Sequence, residues 1–180
     1  MSHTGDEQDG APREGAVSSP SSAGPGNADR NETGANTAGG GDVIRLVGIR
    51  DTPLSLDEVH AAVADPRAGG IAVFTGTVRD NDHARAVTAL AYTAHPTAER
   101  RLRAVMEKIA ADHPVLGLAA VHRVGDLRVG DIAVIAAAAG PHRPEAFAAC
   151  RRLIDDLKAH VPIWKHQTFA DGTDEWVGAC

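Results

Sequence analysis

The chain has 180 residues, a formal net charge of −6 and only two cysteines. That length accommodates one domain of ordinary size plus extensions, and the acidic balance is the reverse of what a general nucleic-acid binder carries. No stretch is long and apolar enough to cross a bilayer without charge, and the cysteines form neither a disulfide framework nor a zinc pattern with the scattered histidines.

Residues 1–42 contain no Leu, Ile, Phe, Trp or Tyr and hold seven acidic against two basic residues. Such a segment cannot bury enough apolar surface to offset its ordering entropy, so it is expected to be a disordered tail, with the folded domain over residues 43–180. The tail carries most of the negative charge and leaves the domain nearly neutral. The chain start lacks a basic segment followed by an apolar run, so a secretory signal is not expected and a cytoplasmic location is.

Val43 to Ile49 alternates like a strand. Ser55-Leu56-Asp57-Glu58 has the form of a capping box, and Leu56, Val59 and Val63 supply one apolar side to the short helix it opens. Gly69-Gly70 precedes a strand from Ile71 to Val78, followed by a polar loop from Asn81 to Arg85 and another strand from Val87 to Ala94. His95-Pro96-Thr97 opens a helix on which Ala98, Leu102, Val105, Met106 and Ile109 share a face. Leu118 to Val124 reads as a strand, with turns at Gly125-Asp126 and Gly130-Asp131, and Ile132 to Ala139 as a further strand. Strands outnumber helices and several adjoin through short turns, which predicts an α+β fold with a mixed or antiparallel sheet and packed helices.

The last helix begins near His142 and Arg143. Pro144 suits its first turn, Glu145 complements the positive end of its dipole, and Pro162 stops it. Ala146, Phe147, Cys150, Leu153, Ile154 and Leu157 form its apolar stripe, which makes Cys150 a core residue, whereas Cys180 is expected to be an exposed thiol. Free N–H groups at a helix start, joined by a His-Arg pair, suit a phosphate or carboxylate. Lys158 near the helix end and Lys165 on the next strand are expected to be brought towards that place and to make it a reaction site. No Gly-x-Gly-x-x-Gly, Walker or Gly-x-Ser-x-Gly pattern is present, no metal site is expected, and His122 inside a strand pattern is given a structural role.

Phe-Thr-Gly-Thr-Val-Arg at 74–79, His-Arg-Val-Gly at 122–125, Pro-His-Arg-Pro-Glu-Ala-Phe at 141–147 and Leu-Lys…Val-Pro-Ile-Trp-Lys at 157–165 stand in order, with Asp171-Gly172 and Glu175-Trp176 behind them. From about residue 43 to 178 the chain resembles the large, catalytic subunit of molybdopterin synthase. The resemblance implies an α/β-hammerhead fold and a homodimer forming the core of a heterotetramer, each protomer binding a small ubiquitin-like sulfur-carrier subunit. Sulfur from the carrier's C-terminal thiocarboxylate would pass to cyclic pyranopterin monophosphate, giving the molybdopterin dithiolene without a metal or organic cofactor. The chain ends Gly178-Ala179-Cys180 rather than Gly-Gly, so the carrier is expected on a separate polypeptide.

Carried over by position, Thr77, Val78 and Arg79 match a first substrate-binding segment and His142 and Arg143 a second. Lys158 matches the lysine at the carrier's C-terminus, and Lys165, His166 and Gln167 match the last substrate-binding segment. Lys158 and Lys165 are the catalytic candidates. Two positions depart from the family pattern: many relatives have an acidic residue near Thr93 and a glutamate in place of Gln167, so Gln167 is expected to be a contact and not a base. The alternatives are a carrier-binding relative without turnover and an unrelated phosphate-ligand binding domain.

Overall fold

The computed structural model of the protein describes residues 43–178. The 1–42 tail and Cys180 lie outside the described residues. Within them the chain runs β1 (Ile44–Arg50), α1 (Leu56–Val63), β2 (Gly70–Thr77), β3 (Asn81–Asp82), β4 (Arg85–Ala94), α2 (Ala98–Asp112), β5 (Gly117–Arg123), β6 (Gly125–Leu127), β7 (Ile132–Gly140), α3 (Arg143–His160), β8 (Ile163–Phe169) and β9 (Asp174–Val177). The class is α+β, as the order of patterns implies.

The first sheet has the order β1-β5-β7-β2; β1 and β5 are parallel and the other pairs antiparallel. Of its two interior strands, β5 and β7, the second is an apolar run that ends in four alanines and a glycine, with both faces covered. Successive side chains point to opposite faces, and the two sets join different clusters. Val134, Ala136 and Ala138 pack with Leu102, Met106, Leu153 and Leu157 of α2 and α3. Ile135, Ala137 and Ala139 pack with Val59 and Val63 of α1. Alanine on both faces lets the helices approach closely. Gly140 extends this closeness into the turn before α3, where a Cβ would lie 2.9 Å from the Ala146 nitrogen.

The second sheet has the order β3-β4-β8-β9, with β6 also paired to β4. Register places Tyr92 opposite Lys165 and Leu90 opposite Gln167, and α3 feeds directly into β8. The C-terminal turn of α3 and the end of β2 therefore meet the face of β8 that carries Lys165 and Gln167.

Several expectations change at this level. Phe147, placed on the apolar stripe of α3, is 67% exposed, whereas Ala146, Cys150, Leu153, Ile154 and Leu157 are buried. It lies at the edge of the stripe, where the buried arc of the helix has already turned away. Leu56 is likewise exposed in the first turn of α1. The stretch read as a turn at Gly125-Asp126 begins β6, because Gly125 turns the chain with a φ of +85° and Leu127 then pairs with Leu90. The loop from Asn81 to Arg85 is a tight hairpin, with Asp82 paired to Arg85 and positive φ at His83 and Ala84. No Asn-Gly or Asp-Gly pair announces that turn.

Candidate active site

Strand β2 ends at Thr77, and the chain then turns through Val78 and Arg79 into the β3–β4 hairpin. Together with Lys158, Tyr92, Lys165 and Gln167 these residues line a cleft of about 140 Å³. Lys165 and Gln167 reach the same place because residues two apart on a strand share a face. Lys158 arrives from the last turn of α3, where a cation also suits the negative end of the helix dipole.

One carboxylate organises the cleft. Asp82 Oδ2 accepts hydrogen bonds from Gln167 Nε2 at 2.8 Å and Lys165 Nζ at 3.1 Å. Its Oδ1 accepts from Arg79 Nη2 at 3.2 Å and lies 3.1 Å from His83 Nδ1. These donors, Gln167 first and Lys165 second, hold the Asp82 carboxyl down at about 2, against the opposing effect of its burial. Gln167 is fully buried and also reaches Glu175 at 3.3 Å. Lys158 is exposed and, among the described residues, has no hydrogen-bond or ion-pair partner. Three cations against the one central carboxylate leave the cleft suited to an anion.

A smaller cavity of about 80 Å³ adjoins it, sharing Thr77, Tyr92 and Lys158 and reaching inward to His122. The His122 ring is buried and packs edge-on against Tyr92, with centroids 4.9 Å apart. Its Nδ1 lies 2.8 Å from the Arg123 carbonyl, an acceptor, so Nδ1 carries the hydrogen. Burial pushes the ring down to about 4; the bond to Arg123 opposes that shift and the charge of Lys158 adds to it. His122 is therefore neutral near pH 7.

The remaining site candidates lie elsewhere. His142 caps α3 with no side-chain hydrogen bond, and with Arg143, Pro144 and Gly69 it borders a separate, open depression. Arg143 and Lys158 are fifteen residues apart on one continuous helix, which at 1.5 Å per residue is about 22 Å. The expected gathering of both lysines at the helix start is thus not formed within one chain, since a straight helix cannot bring its two ends together. His166 projects from β8 opposite to Lys165 and Gln167; its Nε2 lies 2.9 Å from Asp174, and its ring stacks on Trp176. It borders a wider groove of about 900 Å³ on that face, where Arg123 is already paired with Asp131 at 3.1 Å. That groove is larger, but its charges are largely matched.

Asp82 was not among the residues singled out from sequence. An acidic residue in a polar loop carries no signal until the hairpin and the β4–β8 register are known. Among the described residues no group of three or more His, Cys, Asp or Glu side chains is gathered for a metal ion, and no helix is long and apolar enough to cross a membrane.

The chain matches the model of the MoaE protein family over residues 49–160. That span contains Arg79, His142, Arg143 and Lys158 and stops short of Lys165. Over 131 residues the chain is 44% identical to molybdopterin synthase catalytic subunit 1 of Mycobacterium tuberculosis, covering 72% of this chain and 88% of that protein. The crystal structure of molybdopterin synthase from Staphylococcus aureus superposes with a TM-score of 0.69 at 32% identity, covering 73% of this chain and 96% of the other. A complex of subunits 1 and 2 of the molybdopterin-converting factor from Helicobacter pylori gives a TM-score of 0.56 at 21% identity, covering 76% and 89%, a likeness of fold.

Proposed function

The chain belongs to the MoaE family, and from that premise we propose that it is the catalytic subunit of a molybdopterin synthase, acting in molybdenum cofactor biosynthesis as a sulfurtransferase. The donor in this reading is the C-terminal thiocarboxylate of a small ubiquitin-like carrier, and the acceptor is cyclic pyranopterin monophosphate. Residues 43–180 are the catalytic domain and 1–42 an appendage to it.

The observation that carries the reading is the cleft in which Arg79, Lys158 and Lys165 converge around Asp82. Arg79 offers charge-assisted hydrogen bonds to a phosphate. Lys158, unpaired among the described residues, is available to stabilise negative charge on the carrier's carbonyl oxygen. That charge develops as water adds to the carbonyl carbon and its bond to the transferred sulfur breaks, leaving the carrier as a carboxylate. Lys165, held by Asp82, stands on the other side of the cleft to steady the partly sulfurated intermediate or to pass a proton. A carrier partner accords with the two-subunit complex seen for the Helicobacter pylori protein.

The distance between Arg143 and Lys158 adds a requirement. If His142 and Arg143 bind substrate, they do so in the cleft of another copy, so that a complete site is Lys158 of one protomer with His142 and Arg143 of the partner subunit. A homodimer with isologous contacts repeats such an arrangement twice.

The test mixes purified protein with thiocarboxylated carrier and cyclic pyranopterin monophosphate and assays dithiolene product. Product from the wild type and little from Lys158→Ala supports the assignment. No product despite a stable complex with the carrier makes this a carrier-binding protein without turnover, and no complex at all removes the carrier from the reading.

A further inference from the structure

Asp82 is placed at some conformational expense. The chain reaches it through a two-residue turn in which His83 and Ala84, neither of them glycine, take φ of 51° and 65°, a region that side chains other than glycine rarely adopt. The Asn81 side chain braces that turn by accepting from the Ala84 nitrogen at 3.0 Å. What the turn delivers is a carboxylate with a 10% exposed side chain, bonded to two cations and one buried amide. A buried charge persists where partners compensate it, and here the partners are the groups that line the cleft.

Gln167 explains the arrangement further. It sits fully buried at the bottom of the cleft, two residues from Lys165 on the same face of β8, and it cannot ionise. Its amide instead donates to Asp82 at 2.8 Å and, at the longer distance of 3.3 Å, to Glu175. Glu175 is a half-exposed carboxylate that also lies 3.9 Å from Arg85 and can turn to it if residue 167 becomes acidic. Residues 82 and 167 thus form an acid–amide pair across the cleft, with the negative charge on the hairpin side. Arg79 and Lys165 each bond a different oxygen of that one carboxylate, so their positions are coupled through it.

We propose that Asp82 is the positioning residue of this site, supplying the fixed negative charge that holds Lys165 and Arg79 in working geometry. The pairing itself is a statement about this chain's own side chains, while its effect on turnover rests on the sulfur-transfer reading above. An acid–amide pair can be inverted. Asp82→Asn removes the charge with nearly the same shape, and adding Gln167→Glu returns one carboxylate to the same contact from the opposite strand.

The experiment compares wild type, Asp82→Asn and Asp82→Asn/Gln167→Glu in two assays, with thermal unfolding as the check of fold. The first reads the labelling rate of Lys165 by an amine-reactive reagent through peptide mass spectrometry, with Lys158 as internal reference. The second reads kcat and KM for dithiolene formation. The expected result is Lys165 labelling several-fold faster in Asp82→Asn, with kcat lower by on the order of 10- to 100-fold, as loss of positioning costs. Both return towards wild type in the double variant. Unchanged Lys165 labelling in a folded Asp82→Asn overturns the proposal, as does a wild-type kcat in that variant or a folded double variant no faster than the single. Should Asp82→Asn fail to fold, the double variant decides: recovered fold and turnover support the inference, and a folded but slow enzyme refutes it. A wild type that makes no product defeats the sulfur-transfer reading, and the labelling assay then decides the pairing separately.

Discussion

Lys158 and Lys165 differ in what surrounds their ammonium groups, and the difference separates two kinds of loss. Lys158 is exposed and unpaired among the described residues, so its replacement removes no hydrogen bond or ion pair, only the placement of a cation at the end of α3. Lys158→Ala should lower kcat by about 10²–10³-fold, the range for losing one preorganised stabiliser of developing charge. Its thermal midpoint should stay close to the wild-type value, lowered only by the small helix-end contribution. Lys165 is partly buried against Asp82 at 3.1 Å. Lys165→Ala leaves that carboxylate with Arg79, Gln167 and the His83 ring, and loss of the buried contact should cost about 1–3 kcal/mol of stability as well as activity. Chemical denaturation of the two variants checks this. Equal stability of both, measured against the wild type, would show that the Asp82 contact contributes nothing to the fold.

Two other residues set the response to acid. The His122 ring titrates near 4 in the folded protein, chiefly through burial, against an ordinary value of 6.5. Between those values the unfolded chain takes up a proton that the folded chain does not. Stability contributed by the neutral ring is therefore lost as pH falls from 6.5 towards 4. Asp82 acts lower. Its carboxyl titrates near 2, held there by Gln167 and Lys165, against an ordinary 3.8. Its contribution is complete above 3.8 and disappears as pH falls through 2. A scan of thermal midpoint against pH should therefore fall less steeply for His122→Asn than for wild type between pH 6.5 and 4. Parallel curves over that interval would remove His122 from the account.

At the scale of elements, α1 depends on a single cap. Ser55 Oγ accepts from the Glu58 nitrogen at 3.2 Å, as the capping-box pattern requires. The reciprocal half is missing, because the Glu58 carboxylate is taken by Arg50 of β1 at 2.6 and 2.8 Å. Ser55→Ala should cost about 1 kcal/mol, and Glu58→Gln less, since that ion pair is partly exposed. Denaturant midpoints for the two variants give the comparison, and a larger loss from Glu58→Gln would reverse the assignment.

The same scale shows what could be read without coordinates. The helices and most strands were legible because their apolar residues recur at the spacing of one element and end at Pro or Gly. The buried face of α2, Ala98 through Ile109, came out complete. The misplacements of Leu56 and Phe147 arose at the edges of apolar stripes, where periodicity cannot say how wide the covered arc is. For the cleft, the residue pattern named Lys158 and Lys165 and the family resemblance added Thr77, Val78, Arg79 and Gln167. Neither named Asp82, because what makes Asp82 important is a cross-strand register and a hairpin with no glycine. Strand alternation alone would have put His166 on the opposite face from its neighbours. The rise of α3 alone would have separated Arg143 from Lys158.

That separation matters most at the scale of the whole molecule. Arg143 and Lys158 stand at opposite ends of one helix, about 22 Å apart at 1.5 Å per residue. If both serve one substrate, two copies of the chain must share each site, and inactive variants become complementary. In a dimer of one Arg143→Ala protomer and one Lys158→Ala protomer, one site keeps both residues and the other loses both. Random re-pairing of equal amounts makes half of the dimers mixed, each with one intact site of two, so about a quarter of wild-type turnover should return. Neither variant alone should exceed a few per cent, and turnover should track the mixed-dimer fraction, followed by native mass spectrometry during subunit exchange. No recovery from mixed dimers that demonstrably form would confine the site to one protomer. Arg143 would then have to act through the depression at the start of α3, apart from the cleft that holds Lys158.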